Sequence, residues 1–166
     1  MLKETDIREI NESPVSLIGD NWALITAGNS EKFNTMTVSW GALGVLWGKP
    51  AAFVFIRPQR YTFEFFEKEE FFTVNLMGTE NRDILTFCGR NSGRDCDKIE
   101  KTGLKPIYLE NGVTFEQAEY TLLCRKSAAQ DIDPKGFIDP SIESNYSNKD
   151  YHRMYIGEIV KVFKKS

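Results

Sequence analysis

Histidine is the scarcest of the chemically versatile residues in this 166-residue chain. His152 is the only one, so a three-His zinc site, a paired-His helix motif and a two-His iron triad are excluded. Any Ser-His-Asp triad would have to include His152. The three cysteines, Cys88, Cys96 and Cys124, lack Cys-x-x-Cys spacing and are odd in number. They predict neither a disulfide framework nor a zinc ribbon, but reduced thiols in a cytoplasmic protein without a metal site.

The chain also lacks an excess of positive charge and any long apolar run. Lys and Arg number 21 against 24 Asp and Glu, for a net charge of −3, which disfavours sequence-independent binding to nucleic acid. The longest apolar stretch, residues 40–48, falls well short of the roughly 20 residues that span a bilayer. The charged first ten residues do not form a secretory signal. These absences predict a cytoplasmic protein that binds neither nucleic acid nor membrane.

Aromatic residues are abundant, at 13% of the chain with 12 phenylalanines. Flat apolar side chains usually fill a core, but a chain this poor in metal ligands and nucleophiles is also typical of a protein that takes its chemistry from an organic cofactor. The length and the 41% hydrophobic content predict one globular domain over residues 1–166.

Strand patterns dominate the chain, and helical patterns are confined to its middle. Apolar runs between turn residues predict strands at 15–18, 22–26, 34–40, 51–56, 71–76, 115–124 and 155–163. Helices are expected at 62–68 with Thr62 as N-cap, at 81–89, and at 95–102 before Gly103. Residues 1–10 suggest a short helix or arm, Gly41, Gly44 and Gly48 an irregular segment, and residues 131–150 a surface excursion. The order predicts a mainly β antiparallel barrel with inserted helices rather than a parallel sheet.

A basic turn, Arg57-Pro-Gln-Arg-Tyr-Thr62, lies between a predicted buried strand and the start of a helix. Arg57 and Arg60 supply guanidinium donors, and a helix N-terminus supplies free N–H groups, so the turn suits a terminal phosphate. The alternative is a capped surface helix with two solvated arginines. A second basic loop, residues 89–98, also precedes a helix, and the two together favour an anionic ligand.

Small hydroxyl side chains recur along residues 34–40, whose sequence is Asn-Thr-Met-Thr-Val-Ser-Trp. Thr35, Thr37 and Ser39 share one face of the predicted strand, and their size would let a planar ring approach the backbone. The alternative is a Thr-rich edge strand. Trp40 and Trp47 are candidates for stacking on such a ring or for packing in the core or an interface.

Taken in order, these segments resemble the flavin reductase-like family of FMN-binding split barrels, in its flavoredoxin-type branch. The resemblance covers about residues 15–163 and rests on 34–40, 57–62, Phe72-Thr-Val-Asn-Leu76, Ser92-Gly-Arg-Asp95 with Asp97-Lys98, and Asp150-Tyr-His-Arg-Met-Tyr-Ile-Gly-Glu158. It implies an antiparallel Greek-key split β-barrel. It also implies a homodimer that binds FMN non-covalently near the subunit boundary.

The resemblance assigns roles to individual residues. It implies that the backbone of Met36, Thr37, Val38, Ser39 and Trp40 lines the isoalloxazine. The phosphate and ribityl chain would be held by Arg57, Arg60, Tyr61 and Thr62, and the phosphate end closed by Ser92, Gly93, Asp97 and Lys98. A strand carrying Asn75 and Leu76 would pass beneath the flavin. His152 falls on the nicotinamide or substrate side, as a proton-transfer group or as a hydrogen-bonded structural residue.

The activity implied by the resemblance is that of a flavoprotein oxidoreductase. NAD(P)H would be the co-substrate, passing hydride to flavin N5, and the electrons would go to a small-molecule or protein acceptor. No dinucleotide fingerprint is present, so the alternative is a flavoredoxin-like FMN electron carrier without an NAD(P)H site. A third interpretation is a barrel that has lost its flavin.

Overall fold

The computed structural model describes residues 1–166 and is built around one large antiparallel sheet. Its strands are β1 (Leu2–Thr5), β2 (Ala23–Gly28), β3 (Phe33–Val38), β4 (Gly41–Leu46), β5 (Lys49–Ile56), β6 (Phe71–Leu76), β7 (Pro106–Leu109), β8 (Gly112–Phe115), β9 (Tyr120–Asp131) and β10 (Arg153–Lys165). The helices are α1 (Tyr61–Lys68), α2 (Arg82–Arg90) and α3 (Lys98–Thr102). None of them is long and apolar enough to cross a membrane.

The strand order of the large sheet is β3-β2-β6-β9-β10-β5-β4, and β1 adds to β10. All of these pairings are antiparallel, and β7 and β8 form a separate two-stranded sheet. The predicted mainly β antiparallel fold with inserted helices is therefore confirmed. The sheet does not close, because its terminal strands β3 and β4 do not pair with each other.

Two apolar clusters hold the helices against the sheet. Phe66 of α1 is fully buried, and its ring lies 4.9 Å from that of Phe72 and 5.2 Å from that of Tyr155. On α2, Leu85 and Cys88 are fully buried in the second cluster. Each such apolar side chain contributes roughly 1.5–3 kcal/mol by leaving water. Both α1 and α2 pack on β3, so the start of one helix and the end of the other meet over that strand.

A buried polar network crosses the centre of the sheet at Asn75. Its Nδ2 donates to the Leu24 carbonyl at 3.3 Å and to Thr26 Oγ1 at 3.1 Å. Its Oδ1 accepts from Thr114 Oγ1 at 2.7 Å and from Thr121 Oγ1 at 3.2 Å. Because a buried amide is costly unless all its polar atoms are paired, this network makes Asn75 a structural part of β6.

Several predicted elements differ from the observed ones. Residues 15–18 are not a strand but part of a π-helical turn, Val15–Asp20, which Pro14 begins in a helical backbone conformation. Gly41–Leu46 is a regular edge strand, since it pairs through its backbone with β5. The single strand expected at 115–124 is divided between β8 and β9 by a turn in which the Ala118 N–H donates to the Phe115 carbonyl.

The other predicted elements occur within a few residues of their expected bounds. Strands β2, β3, β5, β6 and β10 and helices α1 and α2 match the pattern, whereas α3 begins at Lys98 rather than at residue 95. The N-terminal residues form an arm, because β1 pairs with the end of β10. The surface excursion is also observed. Residues 132–152, called the strap below, connect β9 to β10 through two short 3-10 turns, Pro134–Gly136 and Pro140–Asn145.

Candidate functional site

A cleft lies where the end of β3, the start of α1 and the end of α2 meet, and Arg60 divides it into two pockets. The basic pocket has a volume of about 180 Å³ and is lined by Asn34, Gln59, Arg60, Tyr61, Thr62, Gly89, Arg90, Asn91, Ser92, Gly93 and Lys98. The strand-end pocket has a volume of about 190 Å³ and is lined by Met36, Thr37, Val38, Ser39, Trp40, Phe55, Arg57, Arg60 and His152. The cleft thus joins both loops that the sequence singled out with the end of the hydroxyl-rich strand.

The start of α1 supplies one wall of the basic pocket. Arg60 is the N-cap residue and no side chain caps the helix, so the N–H groups of the first turn have no side-chain acceptor. The prediction that Thr62 is the N-cap is wrong. Thr62 lies inside the first turn, 1% exposed, where its Oγ1 accepts from Asn34 Nδ2 at 2.7 Å. Arg60 Nη2 donates to the Gly89 carbonyl at 3.1 Å and so links α1 to α2.

Lys98 brings a buried positive charge to the same pocket. Its side chain is at the start of α3, and Nζ donates to the carbonyls of Thr35 at 2.8 Å and Cys88 at 2.9 Å. Burial, with the positive charge of Arg60 acting in the same direction, lowers the pKa of Lys98 to about 8. No carboxylate contacts the ammonium, which has three donors and uses two. The third donor and the uncompensated charge favour an anionic ligand.

The loop after α2 approaches the pocket through its backbone. A Cβ at Gly93 would lie 2.1 Å from Asn34 Oδ1 and 3.1 Å from Tyr61 Cδ1, so only glycine fits this approach. The N–H groups of Ser92 and Gly93 have no hydrogen-bond acceptor in the chain. Ser92 Oγ accepts from the N–H of Arg94 at 3.1 Å. The loop that lines the pocket therefore carries two free N–H groups, and protein backbones use such groups to bind phosphate.

The first half of the basic turn binds the strap. Arg57 Nη1 lies 2.9 Å from Asp150 Oδ2, and Nη2 donates to the Asn145 carbonyl at 2.9 Å. The guanidinium carbon lies 4.9 Å from the ring centroid of Tyr146. Gln59 Nε2 also donates to Asp150 Oδ2, at 2.7 Å. Arg57 lines the strand-end pocket, but its charge is already paired with a carboxylate of the protein.

His152 is buried, 8% exposed, on the wall of the strand-end pocket. Its Nδ1 lies 2.8 Å from the hydroxyl of Tyr146. The Trp40 ring lies at 5.2 Å between centroids, and Phe55 presents its ring at 6.4 Å. Burial lowers the pKa of His152 to about 4, with the positive charge of Arg57 acting in the same direction. The imidazole is therefore neutral at neutral pH, which makes it a poor proton donor and a good hydrogen-bonding group.

Residues 36–40 reach the strand-end pocket in two different environments. Met36 and Val38 are buried, whereas Ser39 is exposed and Trp40 is 48% exposed at the rim. Thr37 is packed against α2, because its Oγ1 donates to the Leu85 carbonyl at 2.5 Å. A further pocket of about 260 Å³ between Thr37, Ser39 and α2 adjoins this one. The small hydroxyl side chains of Thr37 and Ser39 therefore line this part of the cleft.

Three of the predicted site residues do not lie in either pocket. Asn75 and Leu76 are fully enclosed in β6, where Asn75 belongs to the buried polar network. Asp97 is the N-cap of α3 and accepts from the N–H groups of Ile99 at 2.9 Å and Glu100 at 3.1 Å. The structure thus gives Asp97 a capping role, on the wall of a neighbouring pocket of about 540 Å³.

Several residues that were not predicted as site residues line the site or support it. Among them are Asn34, Gly89, Tyr146 and Asp150. Asn34 opens the hydroxyl-rich motif, and Gly89 begins the second basic loop, so both stood next to recognised signals. Asp150 opens the C-terminal motif of the family resemblance, although that motif gave it no role. Tyr146 gave no comparable signal, because it lies in the polar strap, where a long-range contact leaves no periodic pattern.

Metal and thiol chemistry have little support from the structure. No group of three or more His, Cys, Asp or Glu side chains is close enough to hold a metal ion. Burial raises the pKa of the Cys88 thiol to about 11 and raises that of the fully buried Cys124 still more. Both sulfurs are therefore protonated at neutral pH and unsuited to nucleophilic work.

Comparisons with known proteins point in one direction. Residues 15–166 match the model of a family described as the flavin reductase-like domain. Among solved structures, an FMN-binding domain of a flavin reductases-like enzyme from Shewanella baltica OS155 superposes with a TM-score of 0.70 at 14% identity, covering 99% of this chain and 78% of that one. A comparison with curated proteins gives no match.

Two further solved structures have the same fold. Flavoredoxin from Methanosarcina acetivorans has a TM-score of 0.66 and 21% identity, covering 87% of this chain and 68% of that one. An NADH:FAD oxidoreductase from Streptomyces globisporus, solved with NAD and FAD fragments, has a TM-score of 0.66 and 13% identity over 87% of this chain and 74% of that one. At these identities the likeness establishes the architecture alone.

Proposed function

The chain belongs to the flavin reductase-like domain family, and on that basis we propose that it binds FMN non-covalently and acts as an NAD(P)H-dependent flavin reductase. One observation carries the proposal. Three cations without carboxylate partners, Arg60, Arg90 and Lys98, line the basic pocket, which shares Arg60 with the strand-end pocket at the end of β3. A flavin mononucleotide has the matching parts, a dianionic phosphate and a flat ring.

The basic pocket would hold the phosphate. Arg60 offers a guanidinium group, Lys98 its third ammonium hydrogen, and the loop at Ser92 and Gly93 two free N–H groups. Hydrogen bonds from charged donors are about twice as strong as neutral ones. A bound phosphate would also offset the cost of burying Lys98, since it supplies the negative charge that the protein itself does not.

The strand-end pocket would hold the isoalloxazine against residues 36–40. The backbone there meets the pocket beside small or exposed side chains, Thr37 and Ser39, and Trp40 forms the rim. Bound FMN would supply a ring that accepts a hydride at N5 and passes electrons on. The protein's share is to orient the ring, exclude water from its inner face and leave the side near His152 accessible to a second ligand.

The decisive experiment is a visible absorbance spectrum of the purified full chain, with added FMN and then with NADH or NADPH under anaerobic conditions. We expect a bound flavin spectrum that bleaches with a reduced nicotinamide. Bleaching by dithionite but by neither nicotinamide would favour the flavoredoxin-type electron carrier instead. Failure to bind FMN would mean that this chain keeps the fold without the flavin.

A matched pair of controls makes that experiment specific to the cleft. Ser39 is exposed and lines the slot, so Ser39→Phe should exclude the flavin ring without disturbing the core. Ser127 is an exposed serine on β9 that lines neither pocket, so Ser127→Phe should bind FMN as the parent does. Retained binding in Ser39→Phe would place the ring elsewhere.

We further propose a cytoplasmic homodimer built from this single domain. The edge strand β4 and the turn after it expose large apolar side chains, with Val45 75% and Trp47 64% exposed. A second copy would cover this edge, which otherwise invites uncontrolled pairing. Sedimentation equilibrium of the parent and of Val45→Lys tests the proposal: a dimer that the substitution weakens is expected, and a monomeric parent would contradict it.

A further inference from the structure

The only imidazole in the chain, that of His152, pairs with a buried phenol, that of Tyr146. Tyr146 is 4% exposed, and its hydroxyl has a single partner in the chain, Nδ1 of His152 at 2.8 Å. The other ring nitrogen, Nε2, has no partner in the protein, and protein atoms do not enclose it fully. The wall of the strand-end pocket therefore carries one free imidazole nitrogen.

The direction of the Tyr146–His152 hydrogen bond follows from the chemistry of the two groups. A phenol is a stronger donor than a neutral imidazole N–H, and an imidazole nitrogen is a stronger acceptor than a phenol oxygen. Burial raises the pKa of Tyr146 and lowers that of His152, so both groups are neutral at neutral pH. The Tyr146 hydroxyl then donates to Nδ1, and the imidazole proton resides on Nε2.

Aromatic rings and a guanidinium group pack around Tyr146 and hold its ring in place. Its ring stacks on Phe137 at 6.1 Å with an interplanar angle of 19°, and Tyr151 packs against it at 4.9 Å. The guanidinium of Arg57 covers the ring at 4.9 Å and is itself paired with Asp150. The charged groups around the Tyr146–His152 pair are Arg57, Asp150 and, across the pocket, Arg60.

We propose that Tyr146 is a positioning residue that fixes His152 as the Nε2–H tautomer, so that the strand-end pocket presents a neutral hydrogen-bond donor to a carbonyl or carboxamide oxygen of its ligand. The donor keeps its proton throughout, so His152 orients the ligand and does not act as an acid. The choice of tautomer is a property of the protein without ligand, whereas the role toward a ligand rests on the proposed function.

The single histidine makes a direct test practical. Long-range ¹H–¹⁵N correlation spectra of the uniformly ¹⁵N-labelled full chain, without ligand, report both ring nitrogens of His152 and need no assignment. We expect Nδ1 to resonate as an unprotonated nitrogen and Nε2 as a protonated one, unchanged between pH 5.5 and 8. A protonated Nδ1, or an imidazolium within that range, would overturn the proposal.

Two phenylalanine variants separate positioning from packing. Tyr146→Phe removes only the hydroxyl, and we expect both nitrogens to shift toward the averaged values of a tautomer mixture. Tyr151→Phe is the control, because Tyr151 packs on Tyr146 but directs its own hydroxyl to Glu143; it should leave the spectrum as in the parent. A parent-like spectrum in Tyr146→Phe would contradict the positioning role. The parent spectrum alone still decides the tautomer if a variant fails to fold.

The role toward the ligand is tested with substitutions at His152. In His152→Gln the amide nitrogen stands in for Nε2 as a neutral donor, whereas His152→Leu removes the donor. We expect kcat/KM for the reduced nicotinamide to fall roughly tenfold in His152→Leu, the effect of one lost hydrogen bond, and much less in His152→Gln. Equal losses in both variants would overturn the donor role. Absence of any nicotinamide oxidation by the parent would refute the proposed function and leave the tautomer result unaffected.

Discussion

Arg57 and Arg60 stand three residues apart in one turn, and the fold uses them differently. Arg57 is paired with Asp150, bonded to a strap carbonyl and stacked on Tyr146. Arg60 makes one hydrogen bond to a carbonyl and has no carboxylate partner. The two arginines look equivalent in the sequence, but Arg57 holds the strap in place and Arg60 remains available to a ligand.

The difference shows that the charge of a side chain does not by itself identify an anion site. The carboxylate of Asp150 already neutralises Arg57, whereas the positive charges of Arg60 and Lys98 stay uncompensated. Burial, together with the nearby Arg57, lowers the pKa of Arg60. A phosphate should gain most from the cations that the protein leaves without a partner.

The largest expected effect comes from removing the available arginine. In Arg60→Ala, FMN affinity should fall by roughly 10- to 100-fold, the range for losing a hydrogen bond to a charged group, whereas riboflavin affinity should change little. Arg57→Ala is the matched comparison and should lower FMN affinity less. Flavin fluorescence titrations of both variants with both ligands measure this. Equal loss of FMN and riboflavin in Arg60→Ala, or a larger FMN loss in Arg57→Ala, would break the comparison.

A smaller effect is expected from titrating Lys98. The pKa of about 8 means that the ammonium is charged below pH 8 and loses its proton above it, and the phosphate gains only from the charged form. FMN affinity should therefore decline by up to roughly tenfold per pH unit between pH 8 and 9, because one proton is linked to binding. Riboflavin should show no such decline, and Lys98→Met should remove the pH dependence. A flat FMN profile in the parent would mean that Lys98 does not contact the phosphate.

The smallest expected effect concerns the arginine that binds the strap. Asp150→Asn keeps an oxygen for Gln59 but removes the charge that faces Arg57. We expect faster amide hydrogen exchange in residues 132–152 with FMN affinity almost unchanged. Asp20→Asn serves as control, since no salt bridge involves that exposed carboxylate. If Asp150→Asn instead lowers FMN affinity as strongly as Arg60→Ala, the division between the two arginines is wrong.

Local patterns predicted more of the fold than long-range pairing did. The apolar run at residues 71–76 and the alternation near the C-terminus specify strands by themselves, because neighbouring side chains set the pattern. Strand β4 was unrecognisable, since Gly41 and Gly44 carry no side-chain signal and the strand exists through its backbone bonds to β5. Residues 15–18 look extended by composition, but Pro14 and the burial of Leu17 and Ile18 give a helical turn.

The candidate site divides in the same way. The basic turn and the loop before Lys98 are each a short continuous segment, so the residue types within each segment indicated an anionic ligand. Asn75 and Asp97 look polar and available in the sequence, but the fold buries the first among hydroxyls and uses the second to cap α3. Tyr146 has no sequence neighbour that marks it, and its partner is the chain's only histidine.

The sequence by itself determined the mainly β antiparallel architecture, the scarcity of metal ligands and the positions of two basic loops. These follow from composition and short-range periodicity, which are properties of neighbouring residues. Only the tertiary structure decided which cations stay unpaired. Asn145 lies 88 residues beyond Arg57, and Asp150 binds the same side chain. Whether a charged side chain is available depends on which distant segments of the chain the fold places beside it. The packing of the whole sheet sets that arrangement.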